Sequence, residues 1–372
     1  MKRLLDKNLI MVTLVALITV ALGASVSDAA GQAKKPKPPR TLPDHTARQT
    51  RPIQLGVSGG SLADIANGYC CSGTLGALVQ DPMGNQYILS NTHVFAGDSV
   101  PGGNGVVSQV GDPVNQPGYV DVSCTDITDD YVGYVADWSP IVPNGISVVD
   151  AALAAVIPGA VDPSGAILEI GVISAQPVAA YVNQPVKKSG RTSGLTTGKV
   201  AGLDATVSIS YEDECAGNDI VSTFEGQILI SPGKFLKAGD SGSLLVENVS
   251  ANPRAVGLLY AGSSRVAIAN PIQDVLATFG VTLVGTGSGA KAAEGNGAAA
   301  GLAQASRAKA VHAAELMAVP GAVGHAVGLS ATGTPVVKVL VERVTRATRA
   351  AVPVSVDGVP VQVLEVGHLV AY

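Results

Sequence analysis

A serine, a histidine and an aspartate stand in sequence contexts that suit acyl transfer. Ser241 lies in the glycine-rich segment Gly239-Asp240-Ser241-Gly242-Ser243, a turn that can expose a hydroxyl group. An alcohol is a weak nucleophile, so it needs a neighbouring base and donors for the oxyanion that it creates. The turn can aim the backbone N–H groups of Gly239 and Ser241 at one point, which predicts an oxyanion hole. An ordinary turn of the same composition is the alternative.

His93 is the histidine best placed to act as the base. It follows the apolar residues 87–89 in Ser90-Asn91-Thr92-His93-Val94, at the end of a predicted strand where a cleft can form. If Ser241 has a histidine base in its own domain, that base is His93, although a core histidine bonded to a neighbour is the alternative. The other histidines lie outside that domain, at His45, His312, His325 and His368.

Asp150 is the candidate for the acid that orients the histidine. It is the only charged residue in the apolar run 146–154. A carboxylate is costly to bury unless it is paired, and accepting a hydrogen bond from an imidazole N–H satisfies it while fixing the tautomer. A carboxylate at a turn is the alternative. The competing acids stand in polar or turn-like surroundings, at Asp98, Asp130 and Asp137.

The segments that must position these residues have the sequence pattern of short strands. From residue 53 to residue 284, apolar runs of a few residues alternate with turn signals such as Asp81-Pro82-Met83-Gly84-Asn85. The chain contains 44 glycines and 22 prolines, which favour turns over long helices. Strands without regular helices between them indicate an antiparallel barrel or sandwich, with residues 271–279 as a closing helix.

The remaining segments divide the chain into further predicted parts. Residues 1–30 have a basic start, an apolar run and small residues, which predicts a signal peptide and a secreted or periplasmic protein; an uncleaved membrane anchor is the alternative. Residues 31–52 and 285–305 are predicted linkers, rich in Lys and Pro and in Gly and Ala respectively. Residues 306–372 are predicted to form a small α+β accessory domain whose first helix is capped by Ser306.

Composition and cysteine placement limit the ligands. The net charge is −5 and there is no basic patch with interleaved aromatics, so nucleic acid is not an expected partner. No histidine or cysteine spacing predicts a metal site, and no cofactor is expected. In an exported protein the four cysteines are expected to form disulfides. We favour bridges from the adjacent pair Cys70 and Cys71 to Cys124 and Cys215, without choosing the pairing.

Four segments resemble the trypsin-like peptidase superfamily, in particular its bacterial streptogrisin-like and plant narrow-leaf-like members. They contain His93, Asp150, Ser241 and the glycine-threonine hairpin at 188–198, within a region from about residue 73 to 284. The order His, Asp, Ser is that of chymotrypsin, and it argues against a lipase or esterase, as does Ser243 at the place of the elbow's second glycine. Residues 315–372 resemble an accessory unit attached to some of these proteins.

The resemblance implies an all-β fold of two antiparallel six-stranded barrels with the three residues in the cleft between them. It also implies that strand 257–262 binds peptide substrate by β-augmentation. Tyr260 and Ala261 stand where many members have Ser and Trp, before Gly262. Phe235 precedes the serine in a stretch that often lines the pocket and hints at an apolar preference, although a core aromatic is the alternative.

We therefore expect a secreted serine endopeptidase that acts on protein or peptide substrates through an acyl-enzyme. The alternative is a non-proteolytic binding or scaffold protein on the same fold. The membrane is an expected partner only if the N-terminal segment stays uncleaved, and the C-terminal domain could support an oligomer. Reaction with a fluorophosphonate, which requires an activated serine, would separate the two functions.

Overall fold

The computed structural model describes residues 42–61, 65–66, 69–97, 107–125, 127–212, 219–287 and 299–372. The predicted signal peptide lies outside the described residues. None of the helices within these ranges is long and apolar enough to cross a membrane. The predicted linker 31–52 is partly wrong, because its end packs on the protein: the Arg48 guanidinium lies 2.6 Å from the Asp130 carboxylate, and His45 is buried.

The strands and helices of the described residues are short, apart from two long strands. The strands are β1 (Val57–Ser61), β2 (Ile65–Ala66), β3 (Tyr69–Cys70), β4 (Gly73–Leu75), β5 (Ala77–Gln80), β6 (Gln86–Ser90), β7 (Pro113–Asn115), β8 (Tyr131–Trp138), β9 (Ile146–Ser147), β10 (Ala152–Val156), β11 (Pro185–Lys188), β12 (Thr196–Tyr211), β13 (Ile220–Ser231), β14 (Leu244–Glu247), β15 (Ala255–Gly262), β16 (Ala267–Pro271), β17 (Thr282–Leu283), β18 (Ala322–Leu329), β19 (Pro335–Val341), β20 (Ser355–Val356), β21 (Val359–Glu365) and β22 (Val370–Ala371). The helices are α1 (Thr92–Phe95), α2 (Ile272–Phe279), α3 (Ala299–Val311), α4 (Ala313–Met317) and α5 (Arg346–Ala351).

The first barrel is built from the sheet β17-β5-β6-β10-β8-β7-β1-β4, in which every pairing is antiparallel. Only Gly76 separates β4 from β5, so together they act as one strand that turns a corner, and six strands form the barrel with β17 added at the edge. Its strands contribute buried side chains such as Leu75, Ile88 and Leu153 to one apolar cluster. The Cys70–Cys124 disulfide confirms one predicted bridge; Cys215 lies outside the described residues.

The second barrel has the strand order β12-β11-β14-β15-β16-β13 and closes through an additional β12–β13 pairing. These six strands are antiparallel to their neighbours. The predicted all-β fold of two six-stranded barrels is therefore confirmed, and the predicted closing helix is α2. Strand β12 continues past the barrel, where it offers a further edge for pairing.

The C-terminal segment has the expected α+β composition, but its strands extend the second sheet instead of forming a sheet of their own. Strand β18 pairs with β12 and is followed in the sheet by β19, β21 and β20. Val366 and Leu369 share one buried cluster with Val207 and Ile209 of β12. The prediction that Ser306 caps the first helix is wrong. Helix α3 begins at Ala299, inside the predicted linker, because alanine favours helix over coil.

Candidate active site

His93 lies on α1, the single helical turn that follows β6. Its backbone is fixed by its neighbours: Thr92 Oγ1 donates to the Ser139 and Ala151 carbonyls at 2.8 and 2.9 Å, and Asn91 Nδ2 donates to the Asp150 carbonyl at 2.6 Å. These bonds join the turn to the chain just before β10. The sequence segment around the histidine therefore holds His93 against the loop that carries Asp150.

Asp150 is fully buried and contacts the histidine directly. His93 Nδ1 donates to Asp150 Oδ2 at 2.6 Å, and the His93 backbone N–H donates to Oδ1 at 3.3 Å. Asn270 fixes the Asp150 backbone, since its Oδ1 accepts from the Asp150 N–H at 3.2 Å. Asp150 is thus held by α1 through its carboxylate and by β16 through its backbone, in a position that orients the imidazole.

Tyr211, at the end of β12, also contacts the carboxylate, and the sequence reasoning missed it. Its hydroxyl donates to Asp150 Oδ2 at 2.9 Å, while its ring lies 5.9 Å from the His93 ring. Burial, and next the negative charge of Asp150, raise the pKa of Tyr211 well above its ordinary value, so the hydroxyl stays protonated and donates. The only signal in the sequence was the buried acid's need for further donors.

The Ser241 turn is pinned to the first barrel by its backbone. The Thr74 N–H donates to the Ser241 carbonyl at 2.7 Å, and Thr74 Oγ1 donates to the Gly239 carbonyl at 3.0 Å. Gly239 has a φ of 89° and Gly242 a φ of 90°, where side chains are strained. A Cβ on Gly76 would lie 1.9 Å from the Gly242 carbonyl oxygen, so the barrels meet here through main chain.

A buried ion pair holds Asp240, the residue before the serine. Lys188 Nζ lies 3.0 Å from Asp240 Oδ2, and neither side chain is exposed. The same carboxylate accepts from the N–H groups of Thr192, Ser193 and Lys237 at 2.9, 3.0 and 3.0 Å. These contacts fix the turn from inside. Among the described residues, no hydrogen bond uses the N–H groups of Gly239 or Ser241, which remain available to an oxyanion.

Ser241 and His93 do not bond to each other in this structure. Ser241 Oγ donates to the Tyr260 carbonyl at 3.0 Å, and His93 Nε2 lies 3.1 Å from the Tyr372 carbonyl oxygen. Burial opposes protonation of His93, yet the charge and hydrogen bond of Asp150, together with the bond to Tyr372, raise its pKa. Both ring nitrogens face acceptors, an arrangement that suits an imidazolium.

The four residues expected to bind substrate lie in different surroundings. Ala261 and Gly262 pair with β22, near the C-terminus of the sequence. The Tyr260 side chain is buried with its ring 5.0 Å from that of Phe224, so only its carbonyl reaches the cleft. Phe235 is buried in an apolar cluster against which Tyr372 packs. The described residues contain no group of three His, Cys, Asp or Glu side chains that could hold a metal ion.

Comparisons with known proteins identify a family model and a bacterial relative. Residues 55–270 match the family model described as the Nal1 C-terminal domain. The chain is 42% identical over 84 residues to serine protease 2 of Streptomyces fradiae, a match that spans 23% of this chain and 40% of that protein. The chain is thus similar to a bacterial serine protease over less than half of that relative's length.

Solved structures of bacterial serine proteases are also similar to this chain. A glutamic acid specific serine protease has 18% identity and a TM-score of 0.42, covering 62% of this chain and 100% of that one. Cellulomonas bogoriensis chymotrypsin has 19% identity and a TM-score of 0.36, covering 60% of this chain and 100% of that one. Because the family model matches more than half of its residues, this chain belongs to the Nal1 C-terminal domain family.

Proposed function

We propose that this protein is a secreted serine endopeptidase that uses Ser241 as nucleophile, His93 as general base and Asp150 as the acid that orients the histidine. The observation that supports this most is the 2.6 Å contact between His93 Nδ1 and the fully buried Asp150 carboxylate, beside a turn whose Gly239 and Ser241 N–H groups remain available. Burial of a carboxylate costs desolvation free energy, and a buried ion pair adds little net stability. The pairing of Asp150 with an imidazole in a cleft therefore favours a catalytic role over a structural one.

The first half of the reaction begins with rotation of the serine. Ser241 Oγ leaves the Tyr260 carbonyl and donates to His93 Nε2, which takes its proton as the oxygen attacks the substrate carbonyl. The Gly239 and Ser241 N–H groups stabilise the oxyanion, and Asp150 stabilises the imidazolium. The imidazolium then protonates the leaving amine, so the peptide bond breaks and an acyl-enzyme remains.

The second half repeats these steps with water. Neutral His93 removes a proton from water, whose oxygen attacks the ester carbonyl of acylated Ser241. The same N–H groups hold the second oxyanion. His93 returns the proton to Ser241 Oγ, which releases the carboxylic acid product and restores the enzyme. No cofactor enters this scheme.

A non-proteolytic peptide-binding role is the second candidate. The observation in its favour is that Ser241 Oγ donates to the Tyr260 carbonyl while His93 Nε2 faces Tyr372, so the nucleophile and base are apart. Hydrogen bonds of this kind are often absent before substrate binds and form in the reacting complex. The contact between His93 and Asp150 would have no use in a protein that only binds.

The decisive experiment is active-site labelling of the full chain with a fluorophosphonate, combined with hydrolysis of a peptide library. Ser241→Ala should abolish both signals, and His93→Ala should lower turnover by several orders of magnitude. Ser164→Ala is a matched control, because Ser164 is exposed and remote in sequence from the cleft residues. Full hydrolysis by Ser241→Ala would exclude the peptidase, and absence of labelling in a folded wild-type protein would favour the binding role.

Secretion is part of the proposal and rests on separate observations. Residues 1–30 have the composition of an export signal, and the Cys70–Cys124 bridge suits an oxidising compartment. Expression with and without residues 1–30, followed by assay of the culture medium, tests it. Retention of the full chain inside the cell, with reduced Cys70, would contradict secretion.

A further inference from the structure

The C-terminal strand β22 lies in the cleft as a substrate strand would. It runs antiparallel to β15, with Ala371 opposite Ala261 and Val370 opposite Gly262. The Tyr372 N–H donates to the Tyr260 carbonyl at 3.2 Å. An extended peptide that joins a sheet edge in this way is held by main chain, and its side chains then select the pockets.

The Tyr372 carbonyl lies against the candidate base and makes no hydrogen bond to the Gly239 or Ser241 N–H groups. Its oxygen lies 3.1 Å from His93 Nε2, and the nitrogen of the same residue bonds to the carbonyl that also accepts from Ser241 Oγ. Tyr372 is therefore placed between the base and the strand that aligns substrate. A peptide substrate cannot reach His93 while Tyr372 holds this position.

The Tyr372 side chain lies in an apolar pocket. Its ring carbon Cε2 lies 3.3 Å from the position that a Cβ on Gly262 would take, so Gly262 leaves room for the ring. The side chain packs against the buried cluster that contains Phe235 and Leu236 of the segment before Ser241. Burial also raises the pKa of the Tyr372 phenol, which keeps it neutral in the pocket.

We propose that the cleft binds the chain's own residues 370–372 as a substrate-like inhibitory strand, and that the pocket holding Tyr372 selects a large aromatic side chain next to the bond that is cleaved. This inference rests on the proposed peptidase function for its second half. The first half, occupation of the cleft by the chain itself, holds for a peptidase and for a peptide-binding protein alike.

The residues just before β22 anchor the strand next to the cleft, and few contacts have to break for residues 370–372 to leave it. Val366 and Leu369 are buried in the core shared with β12, and the Ser210 N–H donates to the Leu369 carbonyl at 3.0 Å. Residues 370–372 are the ones that must leave β15 to open the cleft. A short tether gives an effective concentration of the order of millimolar, so weak intrinsic binding still fills the site.

Substitutions in the strand test occupation of the cleft. Tyr372→Gly removes the ring, and Val370→Pro removes a backbone donor of β22; each should raise the rate of fluorophosphonate labelling about tenfold, the effect of losing roughly half the burial of one large side chain. Tyr372→Phe keeps the ring and should label at the wild-type rate. Val354→Ala, at a residue 89% exposed, is the control for general effects of substitution.

Peptide binding provides a readout that needs no activity. The probe is a labelled peptide of residues 366–372, measured by fluorescence polarisation on the Ser241→Ala/Val370→Pro double variant. It should bind at least tenfold more tightly than to Ser241→Ala alone, because the tethered strand no longer competes. A matched peptide that ends in Gly in place of Tyr should bind about tenfold more weakly. Equal binding of both peptides would overturn the aromatic pocket.

The outcomes separate this inference from the proposed function. If wild-type protein and both strand variants label at equal rates and the double variant gains no peptide affinity, the peptidase stands and occupation of the cleft is wrong. If the peptide binds as expected but no variant labels, the strand inference stands and the peptidase is wrong. If the variants do react with the fluorophosphonate, Val370→Pro should cleave peptides after Tyr or Phe at least tenfold faster than after Glu or Lys. Equal rates would overturn the proposed preference of the pocket for an aromatic side chain.

Discussion

The Tyr211 hydroxyl and His93 Nδ1 both donate to one oxygen, Asp150 Oδ2, at 2.9 and 2.6 Å. The tyrosine therefore acts on the imidazole through the carboxylate, without touching the expected substrate. It also lies edge to face with the histidine ring, at 5.9 Å between centroids. Tyr211 is a positioning residue, and its loss should change the protonation of His93 as well as the rate.

Tyr211→Phe should lower kcat/KM about tenfold, because a hydrogen bond to a buried carboxylate is worth roughly 1.5–3 kcal/mol. With one donor fewer, Asp150 holds the imidazole proton more strongly, so the pH-rate midpoint should move up. Steady-state assays on a peptide from pH of about 5 to 9 measure both effects. Tyr134→Phe, at a half-exposed tyrosine, is the matched control. A reduced rate with an unmoved midpoint would indicate a purely structural role.

Activity should rise with pH through the titration of His93. The groups that face the ring are Asp150, Tyr211 and Tyr372, and the net effect raises its pKa above the ordinary value of 6.5. Below that raised pKa the imidazolium donates to Tyr372 and cannot act as a base. Above it the Nε2 proton is lost, so the neutral imidazole can act as the base.

The measurement for His93 is the labelling rate against pH in wild type and in Val370→Pro. The midpoint should lie above 6.5 in wild type and lower in Val370→Pro, since the bond to Tyr372 is one of the causes of the raised pKa. Tyr372→Phe retains the backbone contact and serves as the comparison. A labelling rate independent of pH over this range would contradict His93 as the base.

Lys188→Met should damage both stability and the oxyanion hole. Removing one partner of a buried ion pair costs roughly 3–5 kcal/mol, because the other charge stays buried and unpaired. With Asp240 held only by its other hydrogen-bond donors, the turn that orients the Gly239 and Ser241 N–H groups would be less fixed, so labelling should fall at least tenfold. Denaturant unfolding and probe kinetics measure the two effects, with Lys199→Met at an exposed lysine as control. Unchanged labelling would show that the turn holds without this pair.

Stability should fall below neutral pH through His325 of β18. Burial, followed by the charge of Lys309, lowers the pKa of His325 to about 4. Because the folded-state pKa lies below the ordinary value of 6.5, stability from neutral His325 is complete above 6.5 and is lost as the pH falls toward 4. The change amounts to roughly 3 kcal/mol at most.

Unfolding free energies at pH of about 7 and 5 test the role of His325. His325→Gln should reduce the difference between the two values, while His368→Gln, at an exposed histidine, should leave it unchanged. His325 Nδ1 is buried without a hydrogen-bond partner among the described residues, so a proton placed there would have no acceptor. Identical pH dependence in His325→Gln and wild type would be inconsistent with this assignment.

Local sequence patterns predicted much of the fold and pointed to Asp150, which contacts His93 in the structure. Strands were recognisable because apolar runs and turn residues are local signals, and Asp150 stood out because an isolated acid in an apolar run needs a partner. Tyr211 and β22 were missed since both depend on pairing between residues far apart in the chain. The helix from Ala299 was missed because a segment rich in Ala, Gly and Ser looks like a linker until a packing partner is known.

The sequence also failed to predict how the C-terminal segment attaches. Gly and Ala between residues 285 and 305 indicated a tether between independent units. In the structure Val366 and Leu369 share a core with Val207 and Ile209 of β12, so the C-terminal segment helps to bury these two side chains. A local pattern of strands predicts that a sheet forms but does not say which existing edge it will extend.

The main-chain contact between Gly76 and Gly242 limits which residues these two positions can accept. A Cβ on Gly76 would meet the Gly242 carbonyl oxygen at 1.9 Å, and one on Gly242 would meet the Thr74 carbonyl oxygen at 2.2 Å. The base and the nucleophile belong to different barrels, and the backbone sets their separation at this joint. A side chain at either position would therefore push the barrels apart and change the distance between base and nucleophile, so both positions must remain glycine while the rest of the sequence diverges.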